Sequence, residues 1–147
     1  MNITFRAATS EDFDYCASLY FAGMATVIRE LNLDMAAQTA SFRRQWAPAE
    51  VRVITRDGVA IGWLQTATLS DALFLKQLFV ESAWQRRGIG TEVVRGLIRE
   101  AADASRAVTL GVVKTNPAKR LYERLGFRVT NEDERKLYMR REPSPHP

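Results

Sequence analysis

The chain has 147 residues, 46% hydrophobic and 26% charged, with a formal net charge of +4 and a pI of about 9.6. That length and balance fit one soluble domain with a real core, expected over residues 1–142, with a disordered tail over 143–147. A single cysteine, Cys16, and a single histidine, His146 in that tail, argue against an internal disulfide, a cysteine-built metal site, a Ser-His-Asp triad and a Cys-His pair. No metal is expected. No apolar run approaches the roughly 18 residues that span a bilayer, and the N-terminus lacks a basic region followed by an apolar core. The expectation is a cytoplasmic protein with no membrane contact. The positive charge permits attraction to phosphates, but the arginines are scattered rather than massed, which argues against direct nucleic-acid binding.

In chain order, Asn2 to Ala7 alternates with Ile3 and Phe5 on one face and predicts a strand. Thr9 or Ser10 offers an N-cap, and Glu11 and Asp12 complement the helix dipole behind it. The helix that follows carries Phe13, Cys16, Ala17, Tyr20, Phe21 and Met24 on one side, and continues or restarts through Thr26 to Leu33. A second helix is expected over Ala36 to Gln45. Val51 to Thr55, the turn Asp57-Gly58 and Val59 to Leu69 predict a hairpin. Leu73 to Val80 is apolar except at Lys76 and Gln77, the pattern of a strand covered on both faces.

A turn of basic residues and glycines follows, Gln85-Arg86-Arg87-Gly88-Ile89-Gly90, and a long helix begins near Gly88. In it Ile89, Val93, Val94, Leu97, Ile98 and Ala101 share one face, with Glu92, Arg95, Arg99 and Asp103 opposite. The first N–H groups of a helix lack partners and carry partial positive charge, and glycines let a ligand approach the backbone. With Arg86 and Arg87 beside them they suit an anion such as pyrophosphate; an ordinary strand-to-helix connection with solvated arginines is the competing reading. The dinucleotide fingerprint is excluded because its third glycine would fall at Val93, and the P-loop because Gly111 lacks its following glycine. Ala107 to Val113 then reads as a parallel strand, Asn116-Pro117 as a helix start, and Phe127 to Thr130 with Lys136 to Arg140 as a closing hairpin. The order is βααβββαβαββ, an α/β fold with a mixed sheet of six to seven strands flanked by helices.

The pattern Gln/Arg-x-x-Gly-x-Gly after an apolar strand resembles the acetyl-CoA motif of the GNAT N-acetyltransferase superfamily, as found in small single-domain members of bacterial type. A second block, from Asn116 through Tyr122 to Leu125-Gly126-Phe127, resembles the segment after that family's fifth strand. The two blocks cover about residues 72–140; the N-terminal half is similar through element order. The resemblance implies acetyl transfer from acetyl-CoA to a primary amine by direct attack in a ternary complex. It implies that the main chain of Leu78 and Val80 bonds the pantetheine. The amides of Gln85, Arg86, Arg87, Gly88, Ile89, Gly90 and Thr91 would hold the pyrophosphate. Asn116, Lys119 and Tyr122 would flank the thioester, Tyr122 acting as the acid toward the departing thiolate and the Val80 N–H polarising the carbonyl.

Each of these residues has a plainer role open to it. Asn116 could only cap its helix, Tyr122 could be a half-buried core tyrosine, and Gly88 and Gly90 could serve close packing. Gly126 reads as a helix C′ residue. No specific base is expected: Leu73-Phe74-Leu75, where some family members carry a glutamate, is apolar, and Glu81 and Asp71 are weak candidates beside water. By the same resemblance Tyr20, Phe21, Met24 and Trp46, with Trp63 and Phe74, are substrate-wall candidates, though aromatics at helical spacing usually pack. The acceptor could be a small molecule or a peptide or protein amine, and dimerisation is common in the family. Two other classes stay open: a non-catalytic acyl-CoA-binding module, against which the intact Tyr122 and glycine turn speak, and an acetyltransferase of RNA-linked or ribosomal substrates, which would show salt-dependent RNA binding.

Overall fold

The computed structural model describes residues 2–143 of the chain. The expected tail therefore lies, from residue 144 on and with His146, outside the described residues. The elements are β1 (Thr4–Ala7), α1 (Phe13–Glu30), α2 (Met35–Gln45), β2 (Val51–Arg56), β3 (Val59–Thr68), β4 (Ala72–Val80), α3 (Ile89–Asp103), β5 (Ala107–Val113), α4 (Ala118–Arg124), β6 (Arg128–Glu132) and β7 (Lys136–Arg141). Their order is the one the sequence predicts. They form one mixed seven-stranded sheet in the order β1-β2-β3-β4-β5-β7-β6. Two compact units divide the described residues, the first running up to Gln65 and including Gln77–Arg87, the second comprising Thr66–Lys76 and the chain from Gly88 on.

In the first unit the entry to α1 is fixed locally. The Thr9 hydroxyl accepts from the Glu11 N–H while the Asp12 carboxylate accepts from the Thr9 N–H, a reciprocal cap. Asp12 also pairs with Arg6 at 2.8 Å. The helix runs without a break to Glu30; Asn32 turns the chain with φ +50°, and the Asp34 carboxylate caps α2 at the Ala37 N–H, 2.9 Å away. Strands β1, β2 and β3 pair antiparallel, with a bulge at Ile54/Thr55.

The core of this unit is aromatic. Phe42, Trp46 and Trp63 are buried with Cys16 and Val51, and Phe13, Tyr20, Phe21 and Phe79 close around them. Their rings meet edge-on or tilted at 4.6–6.0 Å, except that Phe79 stacks on Trp63. Offset and edge contacts of this kind add to the burial of large apolar surface. Burial pushes the Cys16 thiol up to about 11, so it stays a protonated small hydrophobe.

The second unit is built on β5, which pairs parallel with the first half of β4 (Ala72–Leu75 against Ala107–Leu110) and antiparallel with β7. Helix α3 buries Ile89, Val93, Val94, Leu97 and Ala101 of the predicted face, the four larger side chains each worth up to about 1.5–3 kcal/mol. Gly126, at φ +95°, ends α4, and the Arg141 guanidinium donates to the freed Leu125 carbonyl at 2.8 Å. Between β6 and β7 the Asp133 carboxylate accepts from the N–H groups of Lys136 and Arg135 and from the Tyr138 hydroxyl. Those bonds hold its carboxyl down at about 2.

Candidate active site

Strand β4 changes character along its length. Ala72, Leu73 and Leu75 are buried, whereas every residue from Lys76 to Val80 is half-exposed. The expectation of a strand covered on both faces holds only for the first half. In the first unit, Leu78, Phe79 and Val80 form one wall of a cleft of about 530 Å³, with Glu81, Ser82 and Gln85 at its end and Tyr15, Ser18, Leu19, Ala22 and Gly23 of α1 opposite. Glu81, expected as a solvated carboxylate or weak base, accepts from the Tyr15 hydroxyl at 2.5 Å. Burial and that carboxylate together raise the Tyr15 pKa, so the phenol remains the donor. Nothing in the sequence marks Tyr15 for this contact, since Tyr15 and Glu81 are 66 residues apart.

The wall candidates lie elsewhere. Trp63 is fully buried and Trp46 nearly so, and Tyr20 and Phe21 are ring partners of Phe42. Among the described residues neither they nor Met24 line the cleft. Tyr20, Phe21, Trp46 and Trp63 instead belong to the aromatic core, as aromatics at helical spacing usually do.

After Val80 the chain leaves the sheet by a short 3-10 turn, Ser82–Trp84, fixed by the Glu81 N–H to the Ile61 carbonyl (2.9 Å) and by the Gln85 side chain donating to the Val80 carbonyl (2.9 Å). Gln85 therefore acts through its side chain on the strand it follows, while its own N–H donates to the Ser82 carbonyl at 3.3 Å and closes the turn, so the amide expected to meet the pyrophosphate is already engaged. Arg86 then takes a left-handed conformation, φ +63°, and Gly88 another, φ +80°. For a non-glycine residue such a φ costs about 1–2 kcal/mol, so Arg86 carries strain that the sequence does not announce. Strain held in a turn of this kind often accompanies a binding role.

Gly88 and Gly90 turn out to serve different ends. Gly88 is the N-cap of α3 and its left-handed backbone is a requirement of the chain path. Gly90 has no such conformation, and a Cβ placed on it would meet nothing within 4 Å. The packing role considered for Gly90 is thus corrected: the protein itself does not need a glycine there. The first bond inside the helix is the Glu92 N–H to the Gly88 carbonyl, 3.0 Å, so helix geometry leaves the N–H groups of Ile89, Gly90 and Thr91 without an intrahelical acceptor. In the second unit, open space over Gly90, the three N–H groups and the dipole of a 15-residue helix make a helix start that favours an anion; Arg86 and Arg87, in the first unit, are exposed.

In the second unit, Asn116 and Lys119 meet with Lys114 and Arg120 around a hollow of about 300 Å³. The Asn116 side chain does cap α4, accepting from the Ala118 N–H at 2.9 Å, although Pro117 occupies the N-cap position itself. Lys119 stands 3.9 Å from Glu123, a weak exposed pair. Tyr122 is half-buried with its ring against Phe127 at 5.7 Å, and burial raises its pKa, which keeps the phenol protonated at neutral pH. It does not line that hollow. No group of three or more His, Cys, Asp or Glu side chains that could hold a metal occurs among the described residues, and no helix there is long and apolar enough to cross a membrane.

Similar proteins complete the description. The PaiA N-acetyltransferase of Thermoplasma acidophilum, solved in complex with coenzyme A, superposes with a TM-score of 0.74 at 14% identity, over 97% of this chain and 99% of that one. The ribosomal-protein-S18-alanine N-acetyltransferase of Escherichia coli gives 0.69 at 21%, over 99% and 97%. The human cysteine-rich protein 2-binding protein is 33% identical over 71 residues, 48% of this chain, which spans 9% of that relative's length. The model of the acetyltransferase (GNAT) family matches residues 22–127, and the chain belongs to that family.

Proposed function

We propose that the chain transfers an acetyl group from acetyl-CoA to a primary amine of a small molecule, peptide or protein, by direct attack in a ternary complex. Family membership gives the class of chemistry. The observation that carries the cofactor assignment is the cradle at the start of α3, with a glycine at position 90 that the fold does not use. Acetyl-CoA supplies the activated acyl group when bound. The amides from Arg86 to Thr91 hold its pyrophosphate, with Arg86 and Arg87 adding charge and Gln85 fixing the turn through its side chain. The main chain of Leu78 and Val80 bonds the pantetheine in the manner of a neighbouring strand, a reading supported by the half-exposure of Lys76–Val80 and by a parallel register of only four pairs, ending at Leu75/Leu110. Asn116 and Lys119 lie along the pantetheine.

In the chemical step the Val80 N–H donates to the carbonyl oxygen of the thioester. Tyr122, kept protonated by burial, gives its proton to the departing sulfur. No specific base is assigned to the attacking amine: water can take its proton, and Glu81, whose carboxylate accepts from Tyr15, is a weak candidate beside it. Incubation with labelled acetyl-CoA and separate sets of small amines and short peptides, read by mass, tests the proposal. Transfer with intersecting initial-velocity patterns is expected. A labelled enzyme intermediate, or tight acetyl-CoA binding with no transfer to any amine, would contradict it, the second result in favour of a binding module.

A further inference from the structure

One cluster of the first unit is left over from this account. Trp84, in the turn between β4 and α3, has two guanidinium groups on its ring: Arg87 at 4.9 Å from the centroid and Arg56, from the β2–β3 hairpin, at 5.1 Å. Arg56 is 28 residues away in sequence and has no part in the glycine turn. Among the described residues neither guanidinium has a carboxylate within salt-bridge distance. The contrast inside the same unit is Arg6, which is paired in full by Asp12.

Two like charges brought to one aromatic ring repel unless an anion joins them. A guanidinium placed over a ring keeps N–H donors for a further partner, in the fork that suits a phosphate. Stacking also fixes two long side chains whose ordering a ligand would otherwise have to impose. Arg87 adjoins the cradle proposed for the pyrophosphate, and the part of coenzyme A that continues beyond its pyrophosphate is an adenosine carrying a 3′-phosphate. We infer that Arg56 and Arg87, held on Trp84, form the site for that 3′-phosphate, with Arg56 the residue that distinguishes coenzyme A from its 3′-dephospho form. The inference rests on the acetyl-CoA reading above.

The test is calorimetric titration of the wild-type chain and of Arg56→Gln with coenzyme A and with 3′-dephospho-coenzyme A. The wild type is expected to prefer coenzyme A by about tenfold or more, as a charge-assisted phosphate contact implies, and the preference is expected to shrink with added salt. In Arg56→Gln the preference should fall to about twofold or less, with affinity for the dephospho form unchanged. A preference that survives Arg56→Gln overturns the inference. Equal binding of both ligands by the wild type overturns it too, while leaving the acetyl-CoA reading in place; binding of neither removes both.

A second arm needs no variant at position 56. Trp46 and Trp63 are buried and Trp84 is partly exposed, so a ligand at this site should change the emission of Trp84 alone. Adenosine 3′,5′-bisphosphate is expected to change it at concentrations where adenosine 5′-phosphate does not, and Trp84→Phe to abolish the response. Equal responses to the two nucleotides, or a response that persists in Trp84→Phe, would contradict the assignment.

Discussion

The two halves of β4 share apolar residues, Leu and Phe in each, but differ in burial. Ala72-Leu73-Phe74-Leu75 is paired to β5 and largely buried; Lys76-Gln77-Leu78-Phe79-Val80 is half-exposed and walls a cleft. An apolar side chain in the first half is there to hold the sheet. In the second half, Leu78 and Val80 leave apolar surface open that a folded chain would ordinarily cover, and Phe79 alone turns into the aromatic core on Trp63. On the proposed function the first half serves stability and the second half binding, and substitutions at either end should separate the two in experiment.

The largest effect is expected at the buried end. Leu75→Ala should destabilise the fold by about 2–5 kcal/mol in urea unfolding. Leu78→Ala should cost only about 1 kcal/mol, because its side chain is already partly in water. Equal losses at the two positions would erase the distinction drawn between the halves. Next comes Tyr122→Phe, expected to lower kcat about 10²–10⁴-fold while leaving acetyl-CoA affinity and stability nearly unchanged. Wild-type turnover in a chemistry-limited assay would exclude the acid role.

A smaller effect is expected at the end of the cleft. The pKa of Tyr15 is raised above the ordinary tyrosine value of 10.0, chiefly by burial and then by Glu81. Its protonated form is the one the fold stabilises. That stability is fully present below pH 10 and is lost as the pH rises past it toward the folded-state value. Tyr15→Phe should therefore lower stability at neutral pH by about 1 kcal/mol and make the alkaline limb of the stability curve shallower than in wild type. An unchanged alkaline slope would mean that the hydroxyl is not held as described.

The element order, the buried face of α3, the caps at Thr9 and Gly126 and the glycine turn were all legible in the sequence, because each is written in local spacing. The helix face recurs at helical period from Ile89 to Ala101, and the turn is six contiguous residues. What depended on distant segments meeting was not legible. Trp63 alternates with Gly62 and Leu64 like a residue on one face of a strand, yet β3 is buried on both faces from Ile61 to Gln65. Tyr15 meets Glu81, and Arg56 meets Trp84, through the fold alone. The left-handed backbone of Arg86 was hidden for a different reason. Positive φ is expected at glycine, and the neighbouring glycines drew that expectation to themselves.

The central claim is that the start of α3 is shaped for a ligand rather than for the fold, and Gly90→Ala tests it most directly. Alanine suits a helix better than glycine by up to about 1 kcal/mol, and its methyl group enters open space at this position. In thermal unfolding with and without acetyl-CoA, the account predicts that the variant alone melts above wild type while its stabilisation by acetyl-CoA falls, with ATP giving little in either protein. Wild type should gain about 2.7 kcal/mol at a hundred times its dissociation constant. A variant that is more stable and still binds acetyl-CoA as tightly as wild type would contradict the claim. So would a wild type that no coenzyme A species stabilises.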